Sequence, residues 1–538
     1  MTGVQTCALP ILQGSDGNFY GTASNWNLAG YGTVYKLTAS GTFTVLHTFT
    51  DESDGAAPYA GLIQTTDGNF YGVTITGGDP HSNCGTVYKV TASGTLTTLH
   101  AFAGHPNDGC EPYGPLVQAT DGNFYGTTNY GGTSNNCGTF ACGTVFKITT
   151  GGTETILHSF CTQSGCPDGS SPQAGLVQGS DGNLYGATFY NGVANGSGTV
   201  FKITTSGTLT TLHSFNGTDG SGPAGGLVQG SDGNFYGTTF AGANGGGTVF
   251  KMTSSGTLTT LYNFCSQPRC ADGSAPQAGL VQASDGNFYG TTSAGGTGGG
   301  GDLFGTVFAI TSSGTLTTLY NFCSLGGIDC TDGAWPRAGL IQASDGKLYG
   351  VTSEGGNASG AGTAFSLQVQ FSYVLTVSTS GDGSVASRDG FIHCPGTCSH
   401  TYPEGTPVTL DATPGQGWVF GGWNGACLGT GSCTVTMTQP LSVDAIFSQA
   451  QQFVAATPCR LIDTRLTGGP IPGGTFRSFP IPQEGGCNIP TTAAAYSLNV
   501  SVVPHQGRCR DRTGGNQRRR QRVCHQHDQR GPRHQWLL

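Results

Sequence analysis

Gly226–Phe264 reads GLVQGSDGNFYGTTFAGANGGGTVFKMTSSGTLTTLYNF. It holds four short runs, GLVQ, NFYGTT, GTVFKMT and TLTTLYNF, each rich in β-branched or aromatic residues and bounded by Gly, Ser or Asp. That is the pattern of four strands joined by tight turns. The SDGN between the first two runs is a hairpin signal, because glycine accepts a positive φ and aspartate caps its own turn. The Phe-Tyr that follows alternates faces, as sheet-on-sheet packing needs.

Versions of this turn recur at Asp16, Asp67, Asp121, Asp181, Asp232, Asp285 and Asp345, spaced 51, 54, 60, 51, 53 and 60 residues apart. Four strands in about 50 residues is the size of a propeller blade, and propellers have roughly four to eight blades. One small sheet cannot bury both faces, so neighbouring copies must stack. The last copy has no fourth strand after GTAFSL (Gly362–Leu367). Such a ring borrows the missing strand from the other chain end, which here would lie before Ile11. The expected fold is therefore all-β: a seven-bladed β-propeller over 11–371, with its closure left open, followed by small β-rich modules. Residues 1–10 are read as an artefact or a truncated N-terminus.

A second motif, D-G-x-x-P, occupies every connection from a fourth strand to the next first strand: Asp54–Pro58, Asp108–Pro112, Asp168–Pro172, Asp219–Pro223, Asp272–Pro276 and Asp332–Pro336. Its aspartates are read as Asx turns braced by proline. A calcium ring is the lesser reading, because one carboxylate per blade is few against the six to eight oxygens that ion takes. No cofactor and no metal site is expected. His47, His100, His158 and His213 share their strand-four position with Tyr262 and Tyr320. A slot that accepts either residue is read as packing rather than as a general base.

In an up-and-down blade the 1–2 and 3–4 turns emerge at one end and the 2–3 and 4–1 loops at the other. The first set is short and nearly constant. The second varies in length and holds Cys84, Cys110, Cys137, Cys142, Cys161, Cys166, Cys265, Cys270, Cys323 and Cys330. The close spacings suit disulfides of an exported protein better than zinc sites. Cys84 and Cys110 lie in different loops and are a candidate pair. Variable loops on a rigid scaffold are where function sits. On that end Tyr59, Tyr113, Tyr130, Tyr190 and Trp335 are candidate ligand-binding residues, able to stack on sugar rings.

The unit resembles the GloVer-type tandem repeat, a family of large exported bacterial proteins. The resemblance implies export and a surface or extracellular role, and brings no catalytic residue or ligand. Residues 372–448, including CPGTCSHTYPEGTPVTLDATPGQGWVFGGWNGAC, resemble the divergent internalin B-repeat-like module, which implies a spacer or adhesive unit. There Trp418, Phe420 and Trp423 are read as core, and Cys394/Cys398 and Cys427/Cys433 as local staples. Residues 453–504 read as a partial extracellular β-module with Cys459 and Cys487 as a candidate pair. From 505 to 538, nine Arg face two Asp and strand alternation vanishes. That tail is read as frameshifted or disordered.

Composition narrows function. Glycine is 93 of 538 residues, more than twice the usual share of about 7%. The formal net charge is −9, which with the basic tail set aside leaves an acidic body and no case for nucleic acid. No run approaches the ~20 apolar residues of a membrane span. Glutamates number six: Glu52, Glu111, Glu154, Glu354, Glu404 and Glu484. Glu111 and Asp302 stand outside the repeated slots, with nothing to pair them. No phosphate-binding loop, HExxH or nucleophile elbow occurs. The expected function is a secreted or cell-surface binding or adhesion protein. Its partner would be an extracellular polysaccharide or a cell-surface protein. A propeller-based polysaccharide lyase or glycosidase and a structural surface-layer element are the alternatives.

Overall fold

A computed structural model describes residues 7–24, 30–137, 142–191, 196–298, 304–325, 330–356 and 362–450, together with the backbone of 497–498 and 536–537. Residues 11–367 repeat one design. Each copy is an antiparallel sheet whose strands hydrogen-bond in sequence order. The third sheet, for example, comprises Val117–Gln118, Phe124–Thr128, Thr144–Ile148 and Glu154–Ser159. Its second strand is buried throughout, as it must be when both faces of a sheet carry neighbours.

The SDGNFYG stretch is the joint between copies. Asp16 Oδ1 accepts the Asn18 amide at 3.1 Å, and its Oδ2 accepts the Tyr20 hydroxyl and the Lys36 ammonium, both at 2.8 Å. Burial works against the Asp16 charge, but these bonds outweigh it and hold the carboxyl well below its usual range. Where the following sheet carries phenylalanine, the tyrosine packs on it: Tyr20 on Phe70 at 4.1 Å, Tyr71 on Phe124 at 4.4 Å, Tyr185 on Phe235 and Tyr236 on Phe288 at 3.9 Å between ring centroids. The glycine after the tyrosine clears space for the strand-three ring. A Cβ on Gly237 would lie 2.6 Å from Phe250 Cζ.

The seventh sheet meets the first through the same contacts. Tyr349 packs on Phe19 at 4.4 Å, and Ile11, Phe19, Ala338, Ala343 and Val351 share one apolar cluster. A glutamine relay repeats the relation. Gln64 accepts the Ser15 amide at 2.7 Å, Gln229 that of Ser180 at 2.8 Å, Gln342 that of Ser284 at 2.9 Å, and Gln13 that of Ser344 at 2.8 Å.

Among the described residues no strand from the chain start joins the seventh sheet. The seventh sheet has three strands, Ile341–Gln342, Leu348–Val351 and Ala364–Leu367, and the first strand, Cys7–Gln13, pairs with Phe19–Ser24 of its own sheet. Residues Cys7–Pro10, within the stretch read as an artefact or a truncated N-terminus, belong to that strand, with Cys7 opposite Ser24. Ladder bonds are made by backbone, so they need no side-chain alternation.

Residues 372–449 form two further sheets. One orders Ser399–Pro403, Ser372–Ser380, Leu441–Gln449 and Trp418–Gly425; the other orders His393–Cys394, Gly383–Ser387, Pro407–Pro414 and Cys433–Thr436. Tyr373, Leu375 and Val377 alternate inward along one strand. Trp423 is buried, its indole donates to Gly431 O at 2.8 Å, and Phe420 packs edge-on against it at 5.0 Å. Trp418 is half-buried. Among the described residues, seven disulfides join Cys84–Cys110, Cys137–Cys142, Cys161–Cys166, Cys265–Cys270, Cys323–Cys330, Cys394–Cys398 and Cys427–Cys433. Cys459, Cys487 and Asp302, and the side chains of 453–504 and 505–538, lie outside the described residues.

Candidate functional site at the sheet junctions

Each D-G-x-x-P segment ties one sheet to the next, and each of its residues has a separate task. The residue before proline takes a left-handed backbone at all six junctions: Ala57, Glu111, Ser171, Gly222, Ala275 and Trp335, with φ between 51° and 64°. Five of these are not glycine, and proline disfavours helical geometry in its predecessor, so the conformation is strained. It persists because both backbone groups are used. The Glu111 amide donates to Cys84 O in the second sheet's loop, and the Asn129 amide donates to Glu111 O from the third sheet. The proline packs on the glycine that precedes strand three; a Cβ on Gly143 would fall 2.7 Å from Pro172 Cδ. The motif's glycine sits on a hydrogen-bonded threonine pair such as Thr292–Thr306, where a Cβ on Gly273 would meet Thr292 Oγ1 at 2.5 Å.

The aspartate corrects the reading of the histidine slot. His47, His100, His158 and His213 bond Asp54, Asp108, Asp168 and Asp219 through Nε2 at 3.1, 3.1, 2.8 and 2.9 Å, and the Tyr262 and Tyr320 hydroxyls donate to Asp272 and Asp332 at 2.8 Å. The slot accepts His or Tyr because both place a polar hydrogen at the same point, not because it is indifferent packing. The same carboxylates cap their own loops. Asp108 Oδ2 accepts the Ala103 amide at 2.8 Å, and buried Asp272 accepts the Ser266 amide at 3.0 Å. Each aspartate is thus engaged within its own junction rather than pooled in a ring.

The variable chemistry concentrates between the second and third sheets. Tyr59 and Tyr113, one residue after successive junction prolines, meet edge-on at 5.7 Å. Glu111 accepts from Asn129 Nδ2 at 3.5 Å and from the Tyr113 hydroxyl. Burial pushes its carboxyl up, and those two bonds pull back. Burial, and then the nearby charge of Glu111 together with Tyr130 and Tyr59, pushes the Tyr113 hydroxyl up to about 12. Tyr130 pairs with Cys110 on a two-residue ladder, Tyr130–Gly131 against Gly109–Cys110, beside the disulfide that joins two loops. A cleft of about 230 Å³ lined by Tyr31, Asp51, Ala57, Thr76 and Asn83 opens at the preceding junction.

Of the five aromatic residues expected to bind ligand, the structure gathers Tyr59, Tyr113 and Tyr130. Tyr190 lies at the next junction, bridged to Ser170, with its neighbour Phe189 edge-on to it at 4.9 Å. Trp335 lies at the sixth, packed on Phe304 at 5.5 Å and on the Cys323–Cys330 bridge.

Glu154 was missed. It opens the fourth strand of the third sheet, opposite Ile148. At the same register the other sheets carry Phe43, Leu96, Leu209, Leu258 and Leu316. That substitution was the signal available in the repeats. Its carboxylate comes within 4.8 Å of the ligand atoms of both His100 and Asp108. Its Oε1 is buried without a hydrogen-bond partner. Burial pushes it up to about 7, the Asp108 charge adding to the rise and His100 opposing it.

Residues 3–165 and 132–365 match the Gloeobacter/Verrucomicrobia repeat, and residues 373–451 match the divergent InlB B-repeat domain. No curated protein matches the chain. Among solved structures the chain is similar to puromycin hydrolase, at 13% identity and a TM-score of 0.42 over 76% of this chain and 58% of that one. It is also similar to a luciferin-regenerating enzyme, at 13% and 0.35 over 59% and 95% of the two chains. For the tricorn protease the values are 10% and 0.34 over 81% and 40%.

Proposed function

Because the chain belongs to the Gloeobacter/Verrucomicrobia repeat family, we propose that its seven sheets close into a β-propeller whose long-loop end binds an extracellular polysaccharide. Closure is supported by the Tyr349–Phe19 packing and the Ser344–Gln13 bond, which repeat between last and first sheet the contacts made at most other junctions. Extracellular placement is supported by seven disulfides among the described residues, which persist in oxidising compartments. The InlB-like module serves as a spacer or adhesive unit.

The observation that carries the binding reading is the Tyr59–Tyr113 pair with Glu111, Asn129 and Tyr130 beside it. Sugars present apolar ring faces edged by hydroxyls. A site for them needs aromatic surface for the faces and fixed acceptors and donors for the hydroxyls. This junction supplies both on backbone held by a cross-loop disulfide, so little ordering cost falls on binding.

A glycan-array screen of the full chain, purified under oxidising conditions, tests this. Retention on a defined class of polysaccharide is expected. Release of new sugar ends from the retained glycan would replace binding with the hydrolase or lyase reading. Retention on nothing would leave the surface-layer reading in its place.

A further inference from the structure

We infer that His100, Asp108 and Glu154 form a binding site for a divalent transition-metal ion of the zinc class at the junction of the second and third sheets. Three observations converge. The donor atoms of the three side chains all lie within 4.8 Å of one another. His100 Nε2 and Asp108 Oδ2 are 3.1 Å apart, and two donors held about 2.0–2.2 Å from one ion are separated by roughly 3.0–3.5 Å. Glu154 Oε1 is buried without a hydrogen-bond partner, a cost that a bound cation would remove.

The chain supplies its own controls. Three other junctions carry the same His–Asp pair at 2.8–3.1 Å but Leu96, Leu209 or Leu258 in place of the glutamate. The His–Asp pair alone is a structural clamp; the glutamate at this one junction converts it to a three-donor set. One nitrogen and two carboxylates suit zinc-class ions better than calcium or magnesium, which take oxygen donors alone. Asp108 is pre-oriented, because the amides of Ala103 and Gly109 donate to its two oxygens at 2.8 and 2.6 Å, the outer support that ligating carboxylates use. His100 and Asp108 keep 21% and 12% of their side-chain surface exposed, so an ion can enter from solvent. Three protein donors leave a fourth position for water.

The test is calorimetric titration of the full chain, stripped with chelator, against Zn2+. Wild type should take up one more equivalent than Glu154→Leu or His100→Tyr, whose new residues already stand at equivalent positions in the fifth and sixth sheets, so both variants retain the fold. His158→Tyr, at a junction without the glutamate, should keep the full stoichiometry. Substituting Co2+ should give visible d–d absorption that both site variants lose. Equal zinc uptake by wild type and Glu154→Leu would overturn the proposal, as would loss of the same equivalent in His158→Tyr.

Discussion

The junction between the second and third sheets and that between the fifth and sixth share one hydrogen-bonded frame and differ in almost every side chain around it. In both, an aspartate holds the strand-four polar group, His100 on Asp108 or Tyr262 on Asp272. In both, the residue before proline is left-handed, Glu111 or Ala275. Around that frame one junction places Glu111, Tyr113, Asn129, Tyr130 and Glu154; the other places Ala275, Gln277, Ser293, Ala294 and Leu316. The hydrogen-bonded frame is what stacking requires, so it recurs. The surrounding positions are free of that duty, so chemistry can accumulate at one junction.

The largest effects should fall on the frame and be alike at both junctions. Gly273→Val sets a Cβ 2.5 Å from Thr292 Oγ1 on a backbone at φ 101°, and should cost about 3 kcal/mol from overpacking and backbone strain together. Gly109→Val, 2.5 Å from Thr128 Cγ2, should approach it. Denaturant unfolding measures both, and a neutral result at either would break the shared-frame account.

Asp272→Ala comes next. It strips partners from the Tyr262 hydroxyl, the Ser266 amide and hydroxyl, and the Gln267 amide, for a loss of about 2–3 kcal/mol. Burial opposes the Asp272 charge, but the bonds from Ser266 and Tyr262 prevail and its carboxyl titrates low. Its contribution is therefore present at neutral pH and lost as pH falls through the acid range. A pH series of wild-type melting temperatures that showed no greater acid loss than the variant's would contradict this.

Glu154→Leu should act in the opposite direction. Burial raises its carboxyl to about 7, above the usual 4.5, so the folded chain holds this proton more tightly than the unfolded one. The ionised glutamate thus destabilises increasingly from about pH 4.5 to 7. In chelator at pH 8 the leucine variant should be more stable by about 1–2 kcal/mol, discounted for partial screening by solvent. The two should converge below pH 4.5. A constant difference across the range would mean that packing rather than charge sets it. The smallest effect belongs to Glu111→Gln, which should leave stability within about 0.5 kcal/mol.

Much of the frame is legible in the repeats, because Asp-Gly turns, alternating Phe-Tyr and D-G-x-x-P each encode a local geometry. The pairing of His100 with Asp108 was not, since nothing in a linear spacing of eight residues says that a strand end and a loop share one hydrogen bond. Tyr59 and Tyr113 stand 54 residues apart and meet only because successive junctions are stacked. Glu154 was overlooked for a different reason. It occupies an apolar slot, and an acid in such a slot is meaningful only once its neighbours from the preceding sheet are known.

The central claim is that this one junction, not the common frame, carries recognition. It is tested most directly by the affinity of wild type, Tyr113→Ala and Gln277→Ala for a polysaccharide retained on the array, the two substitutions occupying the same position at different junctions. The account predicts that Tyr113→Ala weakens binding at least about tenfold, as loss of a stacking aromatic does, while Gln277→Ala binds as wild type. Equal affinity in all three proteins, or equal loss in both variants, would contradict it.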